Sequence, residues 1–465
     1  MKKLNHTKVA LFAGATALMS LTPNIHAQSS VDALLNKLEQ KGILTVDEAK
    51  ELKAENETNS IADFNAAMNS RFPMPDWVTG YKLSGDFRGR AEEFTSDNPS
   101  FADRMRFRYR IRAGLAVELK DNLEVGFRVT SGDTVGGFGT STGNPLSNNS
   151  TFQDDFTKKF LFIDAAYGKW TAINNDDWVL SATFGKMDNP FQLTPMVFDS
   201  DLTPEGAALQ TTYNINDKNS ITFIGAGFVL DEEKANARDP IMYGGQVVWK
   251  AKWTPRLESS AGIAAFDIVN RDQLTTANVP YVNQGNTRTT STTASLLVYN
   301  YNPIVADASV TYKLDSFPLY PTAFPIKFAA EYMNNPGAPS GNEGYWGGVT
   351  FGQAGHKHGW DISYRYEYLE ADAWYDQMVD DDNGAYYKNA PVGALAAGAF
   401  SGTSYGWFAG TNIKGHLIKA DYSITDGLTF TFTCFINDLI NQTPGGVAEP
   451  QNHAVHAMAD LTWKF

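Results

Sequence analysis

The feature that most constrains the fold is the stretch RMRFRYRIR, residues 104–112, in which arginine occupies every second position. The residues between the arginines are Met105, Phe107, Tyr109 and Ile111, which are bulky and largely apolar. A β-strand places successive side chains on opposite faces of a sheet, whereas a helix repeats every ~3.6 residues. The stretch therefore predicts a strand with five cationic side chains on one face and apolar side chains on the other.

The charge balance of the whole chain argues against nucleic acid as the partner of these arginines. The 465 residues include 38 Lys plus Arg and 52 Asp plus Glu, which gives a formal net charge of −14. Because an acidic surface repels a phosphate backbone, we expect no nucleic-acid partner. The basic stretch is a local feature of an acidic molecule.

The N-terminus, MKKLNHTKVALFAGATALMSLTPNIHA, begins with lysines and continues with a short apolar segment. That segment is too short for a transmembrane helix and has the pattern of a secretory signal peptide. We therefore predict a signal peptide at residues 1–27. The single cysteine, Cys434, excludes an intrachain disulfide in the exported protein.

Residues 28–75 show helical rather than strand periodicity. Apolar residues spaced by three or four predict one helix, and Thr45 with Glu48 forms a capping box that predicts the start of another. Two such short helices cannot build an independent core. Pro73 and Pro75 indicate a linker. We predict a periplasmic helical hairpin and linker over residues 28–75.

From Tyr81 onward, the hydrophobic pattern of the chain repeats every two residues. Sixteen segments of ~10 residues have this pattern, and short connections alternate along the chain with long ones, an arrangement typical of a transmembrane β-barrel. We predict an all-β fold, a closed antiparallel transmembrane β-barrel of 16 strands at residues 76–465. The predicted strands are 81–93, 103–119, 123–133, 159–168, 178–186, 207–213, 220–230, 241–252, 257–268, 304–314, 324–333, 344–353, 359–369, 413–423, 428–437 and 454–465, and the long connections are 132–157, 187–206, 269–303 and 371–412.

Two aromatic patterns support a membrane barrel. Seven tryptophans lie at strand ends beside the short turns or the terminus, where an amphipathic indole ring would meet the membrane interface. The last strand alternates up to Phe465, with Trp463 on the same face. This resembles the terminal assembly signal of bacterial outer-membrane barrels and implies recognition of both residues by the barrel assembly machinery. The seven tryptophans are Trp77, Trp170, Trp178, Trp249, Trp253, Trp360 and Trp463.

The charged faces of the predicted strands require a wet interior. An unpaired charge buried without water would cost several kcal/mol, whereas sixteen strands enclose a channel wide enough for water. We therefore expect the arginines to line a pore. The expected pore-lining residues are Arg88, Arg90, Arg104, Arg106, Arg108, Arg110, Arg112 and Arg128.

Several segments, in their order along the chain, resemble the bacterial outer-membrane "putative porin" family. The resemblance covers almost the whole mature chain except the loops at 270–300 and 375–405. It implies a water-filled outer-membrane barrel that passes small hydrophilic solutes, and it does not identify a solute. The segments are KGILTVDEA, GDFRGRAEE, RFRYRIRAGLAVEL, GKMDNPF, DLTPEGAALQTTY, WDISYRYEYLEADA and GTNIKGH.

The connection 187–206 is the third external loop if the first strand rises from the periplasm. In general porins the third loop commonly folds into the barrel, so the resemblance implies the same here. Acids of this loop would then face the arginines across the lumen, and opposed fixed charges would create a transverse field. The alternative is a loop outside the barrel with solvated acids. The expected constriction-loop acids are Asp188, Asp199, Asp201 and Glu205.

The arginines tilt the expected ion selectivity towards anions, because they stay charged at any relevant pH. Acids such as Glu92 and Glu331 are also plausible lumen residues and could pair with them. We expect the barrel to span the outer membrane of a Gram-negative-type bacterium, with lipid and lipopolysaccharide around it. Porins of sixteen strands are often trimers, and a homotrimer is one option here.

Two other classes of function stay open. An outer-membrane hydrolase would need serine and histidine on the lipid-facing wall, but no histidine clearly lies beside an outward serine and no G-x-S-x-G motif is present. A secreted, soluble carbohydrate-binding protein would suit the aromatic content of 13%. The terminal Phe465 and the position of the tryptophans weigh against it.

Metal ligation is weakly indicated at three places. His356 with His358, and His453 with His456, have spacings that could hold a metal, but exposed histidines are commoner. The acidic run 380–382 could hold a hard cation, although a solvated acidic loop is the simpler interpretation. We expect no metal, no cofactor and no enzymatic activity.

Overall fold

The computed structural model describes residues 75–97, 103–135, 142–234, 237–280, 284–291, 294–387, 407–441 and 453–465. The predicted signal peptide and helical hairpin lie outside these residues. Among the described residues, no helix is long and apolar enough to cross a membrane.

Sixteen strands form one closed antiparallel barrel within the described part of the chain. Each strand pairs with its neighbours in sequence, and the last pairs with the first. The short segment Ser150–Thr151 also joins the sheet by pairing with β2. The strands are β1 Val78–Ser96, β2 Arg104–Leu119, β3 Leu123–Gly132, β4 Phe160–Asn174, β5 Trp178–Lys186, β6 Glu205–Asn216, β7 Asn219–Val229, β8 Ile241–Lys252, β9 Leu257–Val269, β10 Ile304–Leu314, β11 Phe324–Asn334, β12 Glu343–Gly352, β13 Trp360–Leu369, β14 Ile413–Thr425, β15 Leu428–Leu439 and β16 Ala454–Lys464.

The predicted barrel of 16 strands is confirmed, and most predicted strand ends agree with the structure to within a few residues. The largest difference is β4, which was predicted to end at 168 and continues to Asn174. Gly168 interrupts the apolar pattern, but hydrogen-bonded partners on both sides carry the strand further: Leu123 of β3 pairs with Trp170, and Val179 of β5 pairs with Asn174. Trp170 therefore lies inside a strand, near its turn end.

The connections differ at the two ends of the barrel, which we call the turn end and the loop end. Turns are short, and one of them, 120–122, uses Asp121 and Asn122 at positive φ (63° and 58°), a conformation that these residue types tolerate. Four long connections lie at the loop end. They are the second loop (133–159), third loop (187–204), fifth loop (270–303) and seventh loop (370–412).

The two faces of β2 confirm the alternation seen in the sequence. Phe107 and Ile111 are exposed on the outer face, whereas Arg108 and Arg110 are buried on the inner face. Exposed apolar side chains also cover the outer face of other strands, including Phe184 on β5 and Phe328 on β11. An apolar outer face and a charged inner face are what a barrel in a lipid bilayer requires.

The terminal residue closes the barrel against β1. Gly85 N donates to Phe465 O at 2.9 Å, and Phe465 N donates to Gly85 O at 3.1 Å. A Cβ atom at position 85 would lie 2.4 Å from Phe465 Cζ and 2.5 Å from the backbone oxygen of Arg112, so a larger residue would displace the terminal ring and the neighbouring strand. The closure therefore depends on the small size of Gly85.

Candidate functional site: the charged lumen

The inward arginines of β1, β2 and β3 form what we call the basic wall. The strand register places Arg88 directly opposite Arg110, and Arg90 directly opposite Arg108. Like charges in directly opposite positions destabilise a sheet. The wall therefore needs carboxylates close by. Its members are the eight arginines expected from the sequence to line the pore: Arg88, Arg90, Arg104, Arg106, Arg108, Arg110, Arg112 and Arg128.

Acids on the same strands supply part of the countercharge. Asp86 accepts from Arg110 Nε at 3.0 Å and from Arg112 Nε at 2.7 Å. Asp460 of β16 accepts from Arg90 Nε and Nη2, at 2.8 and 2.9 Å, in a bidentate pair. Such paired N–H···O contacts are among the strongest hydrogen bonds in proteins.

Two further acids complete this first group. Glu92 pairs with Arg106 and lies 3.7 Å from Arg108 Nη1, and Asp164 pairs with Arg128. Of these acids, Glu92 was named from the sequence as a possible partner of the arginines, whereas Asp460 was not. Asp460 alternates in phase with the other inward residues of its strand, and that signal could have identified it.

The third loop brings two of its predicted acids to the basic wall. Asp201 Oδ1 lies 3.2 Å from Arg110 Nη1 and 3.8 Å from Arg112 Nη1. Asp188 accepts from Arg128 Nη2 at 2.5 Å and from Nη1 at 3.2 Å. Two acids of the third loop therefore contact arginines of the basic wall.

The other two predicted loop acids do not meet the basic wall. Glu205 is the first residue of β6, where it alternates with the exposed Leu209 on the outer face and pairs with Lys186 at 3.1 Å. Its expected place in the lumen is therefore wrong, because the strand begins before it and fixes its direction. Asp199 is buried against the seventh loop and not against the arginines.

The third loop lies inside the barrel. Besides its contacts with β2 and β3, Gln192 N donates to Gln246 Oε1 of β8 at 2.8 Å. Thr194 Oγ1 donates to Glu331 of β11 at 2.5 Å, and Trp346 Nε1 of β12 donates to Thr194 Oγ1 at 3.0 Å. Because β2 and β11 stand on opposite sides of the ring of strands, a loop that contacts inward side chains of both crosses the interior.

The seventh loop packs on the third loop. Trp374 Nε1 donates to Val197 O at 2.7 Å, and the Trp374 ring meets Phe198 edge-on with centroids 5.9 Å apart. Asp199 N also donates to Met378 O at 2.7 Å. Trp374 and Val197 are fully buried, so the two loops share an apolar core inside the barrel near its loop end.

The fifth loop is held to the seventh loop by carboxylates. Tyr301 OH donates to Asp372 Oδ1 at 2.8 Å, and Gln284 N donates to Asp376 Oδ2 at 2.8 Å. Arg288 Nη2 lies 3.6 Å from Asp376 Oδ1, and neither side chain is exposed. We call the described residues of the third, fifth and seventh loops the three-loop cap.

An acidic cluster lies where the third and seventh loops meet. Carboxylate oxygens of Asp199, Asp380 and Asp381 lie within 4.8 Å of one another. Burial, followed by the charges of neighbouring acids, raises the pKa of Asp199 and of Asp381. Burial and the charge of Asp382 raise the pKa of Asp380 to about 7, although Arg365 partly offsets them. The cluster therefore holds protons near neutral pH.

Asp382 behaves differently from its neighbours in sequence. Burial alone would raise the pKa of its carboxyl group, but Arg90, His456 and Arg108 lower it below the usual value. Asp382 Oδ2 lies 2.8 Å from Arg90 Nη1. The acidic run 380–382 is thus part of the barrel interior and is not the solvated outer loop favoured from the sequence.

The histidines singled out in the sequence have different environments. His456 Nε2 lies 3.1 Å from Glu92 Oε2, and its Nδ1 lies 2.8 Å from Asp382 O, so the ring links β1 and the seventh loop. His358 lies in the turn between β12 and β13, 2.9 Å from Tyr422 OH. The sequence analysis missed His416, which is exposed on β14 beside Tyr364.

The closed barrel, with its apolar outer face, charged inner face and in-folded third loop, defines a porin-like β-barrel of the outer-membrane type. A family model described as "Putative porin" matches residues 97–306, a range that includes β2 and the third loop, and confirms the resemblance found in the sequence. No curated protein sequence matches the chain significantly.

Solved structures of low sequence identity are similar to this chain. One is the high-pH structure of Pseudomonas putida OprB, at 12% identity, with 83% of this chain and 94% of that chain covered and a TM-score of 0.49. Another is an engineered variant of the Rhodopseudomonas blastica porin, at 10% identity, with 83% and 100% covered and a TM-score of 0.38.

Proposed function

We propose that the protein is an outer-membrane channel for the passive diffusion of small hydrophilic solutes and ions, and that it is not an enzyme. The observation that supports this function best is β2, which has exposed apolar side chains on its outer face and arginines on its inner face. Charge on this scale is tolerated in a membrane protein where it lines a wet interior.

A modest preference for anions accompanies this function. The guanidinium groups of the basic wall stay ionised at any physiological pH. Several acids of the three-loop cap hold protons more readily than ordinary carboxyl groups do, because burial and neighbouring acids raise the pKa of Asp199, Asp380 and Asp381. The balance of fixed charge in the lumen therefore tilts towards positive.

Planar-bilayer recording of the purified protein tests both parts of the proposal. In a salt gradient, the reversal potential should indicate anion preference, and Arg108→Ala with Arg110→Ala should lower the anion-to-cation permeability ratio by roughly two- to five-fold, because wall charge sets the local ion concentration. Arg256→Ala, at an exposed ion pair with Asp315 at the turn end, is the matched control. Absence of conductance would contradict the channel, and an unchanged ratio would contradict the role of the basic wall.

The remaining assignments concern the export, membrane insertion and assembly of such a channel. We propose residues 1–27 as a signal peptide, 28–75 as a periplasmic helical hairpin and linker, and 76–465 as the barrel, embedded in lipid and lipopolysaccharide and assembled as a homotrimer.

Trp463 and Phe465 are proposed as the signal for the barrel assembly machinery. Phe465→Ala should lower the fraction of heat-modifiable, folded protein in the outer membrane by about half or more, because it removes an aromatic ring that is 62% exposed and therefore accessible to the assembly machinery. An unchanged folded fraction in membranes, measured by gel mobility without heating, would contradict this role.

A further inference from the structure

A polar cavity of about 340 Å³ lies at the loop end, between β2, the second loop and the seventh loop. Its cationic lining combines the start of β2 with the end of the second loop, and Asp381 closes it from the seventh loop. The cationic lining residues are Arg104, Arg106, Arg108, Lys158 and Lys159, and the acidic ones are Asp133, Asp154 and Asp381. We call this cavity the cationic vestibule.

We propose that the cationic vestibule binds a small soluble polyanion, one that carries two or more carboxylate or phosphate groups, before that solute enters the channel. This inference rests on the proposed channel function. It adds a defined binding site, the chemical class of its ligand and the side of the membrane from which the ligand arrives.

The cations of the vestibule are suited to polyanions. Arg108 is almost fully buried, and its Nε has no hydrogen-bond partner among the described atoms. Lys159 Nζ donates to the backbone carbonyl of Gln153 at 3.1 Å, which orients the amine without neutralising it, and Lys158 is exposed at the rim. Guanidinium groups present planar sets of donors that match carboxylates and phosphates, and lysines add mobile point charges.

Two of the three acids of the vestibule, Asp133 and Asp381, oppose an anion only weakly. Asp133 already accepts from Thr151 Oγ1 at 2.6 Å and lies 3.7 Å from Arg108 Nη2. Burial and the neighbouring acids Asp382 and Asp380 raise the pKa of Asp381, so this group repels an anion less than an ordinary carboxylate does. The cations therefore outweigh the acids inside the cavity.

The size and position of the vestibule limit which polyanions could bind there. Ligand sites in proteins have volumes of roughly 300–1,000 Å³, so this cavity fits a small solute of the size of a tricarboxylate. Arg106 and Arg108 belong both to the vestibule and to the basic wall, so a bound anion has a continuous row of arginines ahead of it. Capture at the loop end makes the channel asymmetric towards such solutes.

Single-channel recording of the full-length protein with citrate as the probe tests the proposal. Citrate added on the side of the bilayer that the loop end faces (the loop side) should interrupt the chloride current more often than citrate added on the side that the turn end faces (the turn side). Uncharged glucose should not interrupt the current from either side. The double variant Lys158→Gln/Lys159→Gln should lower the on-rate of citrate block from the loop side by roughly three- to ten-fold, because electrostatic attraction governs such encounters. These lysines lie on the second loop, outside the ion pairs that hold the barrel wall.

The matched control is Lys218→Gln/Lys357→Gln, which removes the same charge from exposed turns at the opposite end. It should leave citrate block from the loop side unchanged. Equal block from both sides, or equal block in the Lys158/Lys159 variant and the wild type, would overturn the vestibule while the channel itself stands. If the wild-type protein shows no conductance at all, that result would instead count against the proposed channel function.

Discussion

The basic wall and the wall opposite it face the same lumen, and both contain buried charged side chains. On the basic wall, buried arginines lie in ion pairs with carboxylates, as Arg90 does with Asp460 and Asp382. On the far wall, which comprises the inward side chains of β11 and β12, the buried Glu331 takes its hydrogen bonds from neutral donors. Thr194 N and Oγ1 donate to it at 3.3 and 2.5 Å, and Trp346 Nε1 donates at 3.3 Å.

This difference shows how the third loop is matched to both sides of the barrel. Its Asp201 meets the excess of cations on the basic wall, and its Thr194 meets a single carboxylate on the far wall. A loop of the opposite order, with hydroxyl groups towards the arginines and acids towards Glu331, would leave buried charges unpaired on both sides. The arrangement also leaves the lumen with positive charge on one side and a carboxylate on the other, which is the condition for a transverse field.

The largest effect is expected on the basic wall. Asp86→Asn keeps the shape of the side chain but removes the negative charge that Arg110 and Arg112 share. Because it leaves two guanidinium groups short of countercharge, the free energy of unfolding should fall by about 3 kcal/mol. Urea titration in lipid vesicles, followed by tryptophan fluorescence, measures the change.

The matched control for this substitution is Asp315→Asn, in the exposed pair with Arg256 at the turn end. Exposed pairs contribute at most about 0.5–1 kcal/mol, so this variant should unfold almost as the wild type does. Equal losses in the two variants would show that burial on the basic wall does not strengthen its ion pairs.

A pH-dependent effect is expected where the third loop meets the seventh. Because the pKa of Asp380 is about 7 in the folded protein, against an ordinary value of 3.8, the folded state holds a proton that the unfolded chain releases. The stability that this proton supplies is present at acid pH and is lost as the pH rises through the folded pKa. Between about pH 5 and about pH 8, the loop contact should weaken by on the order of 2 kcal/mol.

Current noise in planar bilayers reports this weakening, because a loosened loop inside the lumen interrupts ion flow. Wild-type noise should increase from about pH 5 to about pH 8, and Asp380→Asn should reduce that dependence because an amide does not titrate in this range. Asp199 and Asp381 contribute in the same direction. Noise that is independent of pH in the wild type would contradict the loop-contact prediction.

The sequence alone predicted the barrel well because strand periodicity is a local property. RMRFRYRIR determines which side chains of β2 face lipid and which face the lumen without reference to any other strand. The count of strands followed from alternation and connection length in the same way. The expected place of Glu205 failed because the loop boundary was drawn two residues late, so a strand residue whose outward direction is fixed by the alternation was assigned to the loop.

The partners of the basic wall could not be predicted in this way, because they depend on contacts between distant segments. Arg90 and Asp382 are 292 positions apart, and their pairing requires the seventh loop to fold into the barrel. No periodicity distinguishes an acidic run that packs inward from one that stays in solvent. The apolar residues that draw the loop inward, Trp374 and Met378, are interspersed with acidic residues in the segment 370–382.

The smallest effect is expected on the far wall, with Glu331→Gln. The glutamine carbonyl oxygen can still accept from Thr194 Oγ1 and Trp346 Nε1, so the loss is limited to the long hydrogen bond from Thr194 N at 3.3 Å and the extra acceptor strength of the carboxylate. The free energy of unfolding should fall by about 1 kcal/mol in the urea titration used for Asp86→Asn. A loss as large as that of Asp86→Asn would show that Glu331 is balanced by charge and not by neutral donors, and the contrast between the two walls would then disappear.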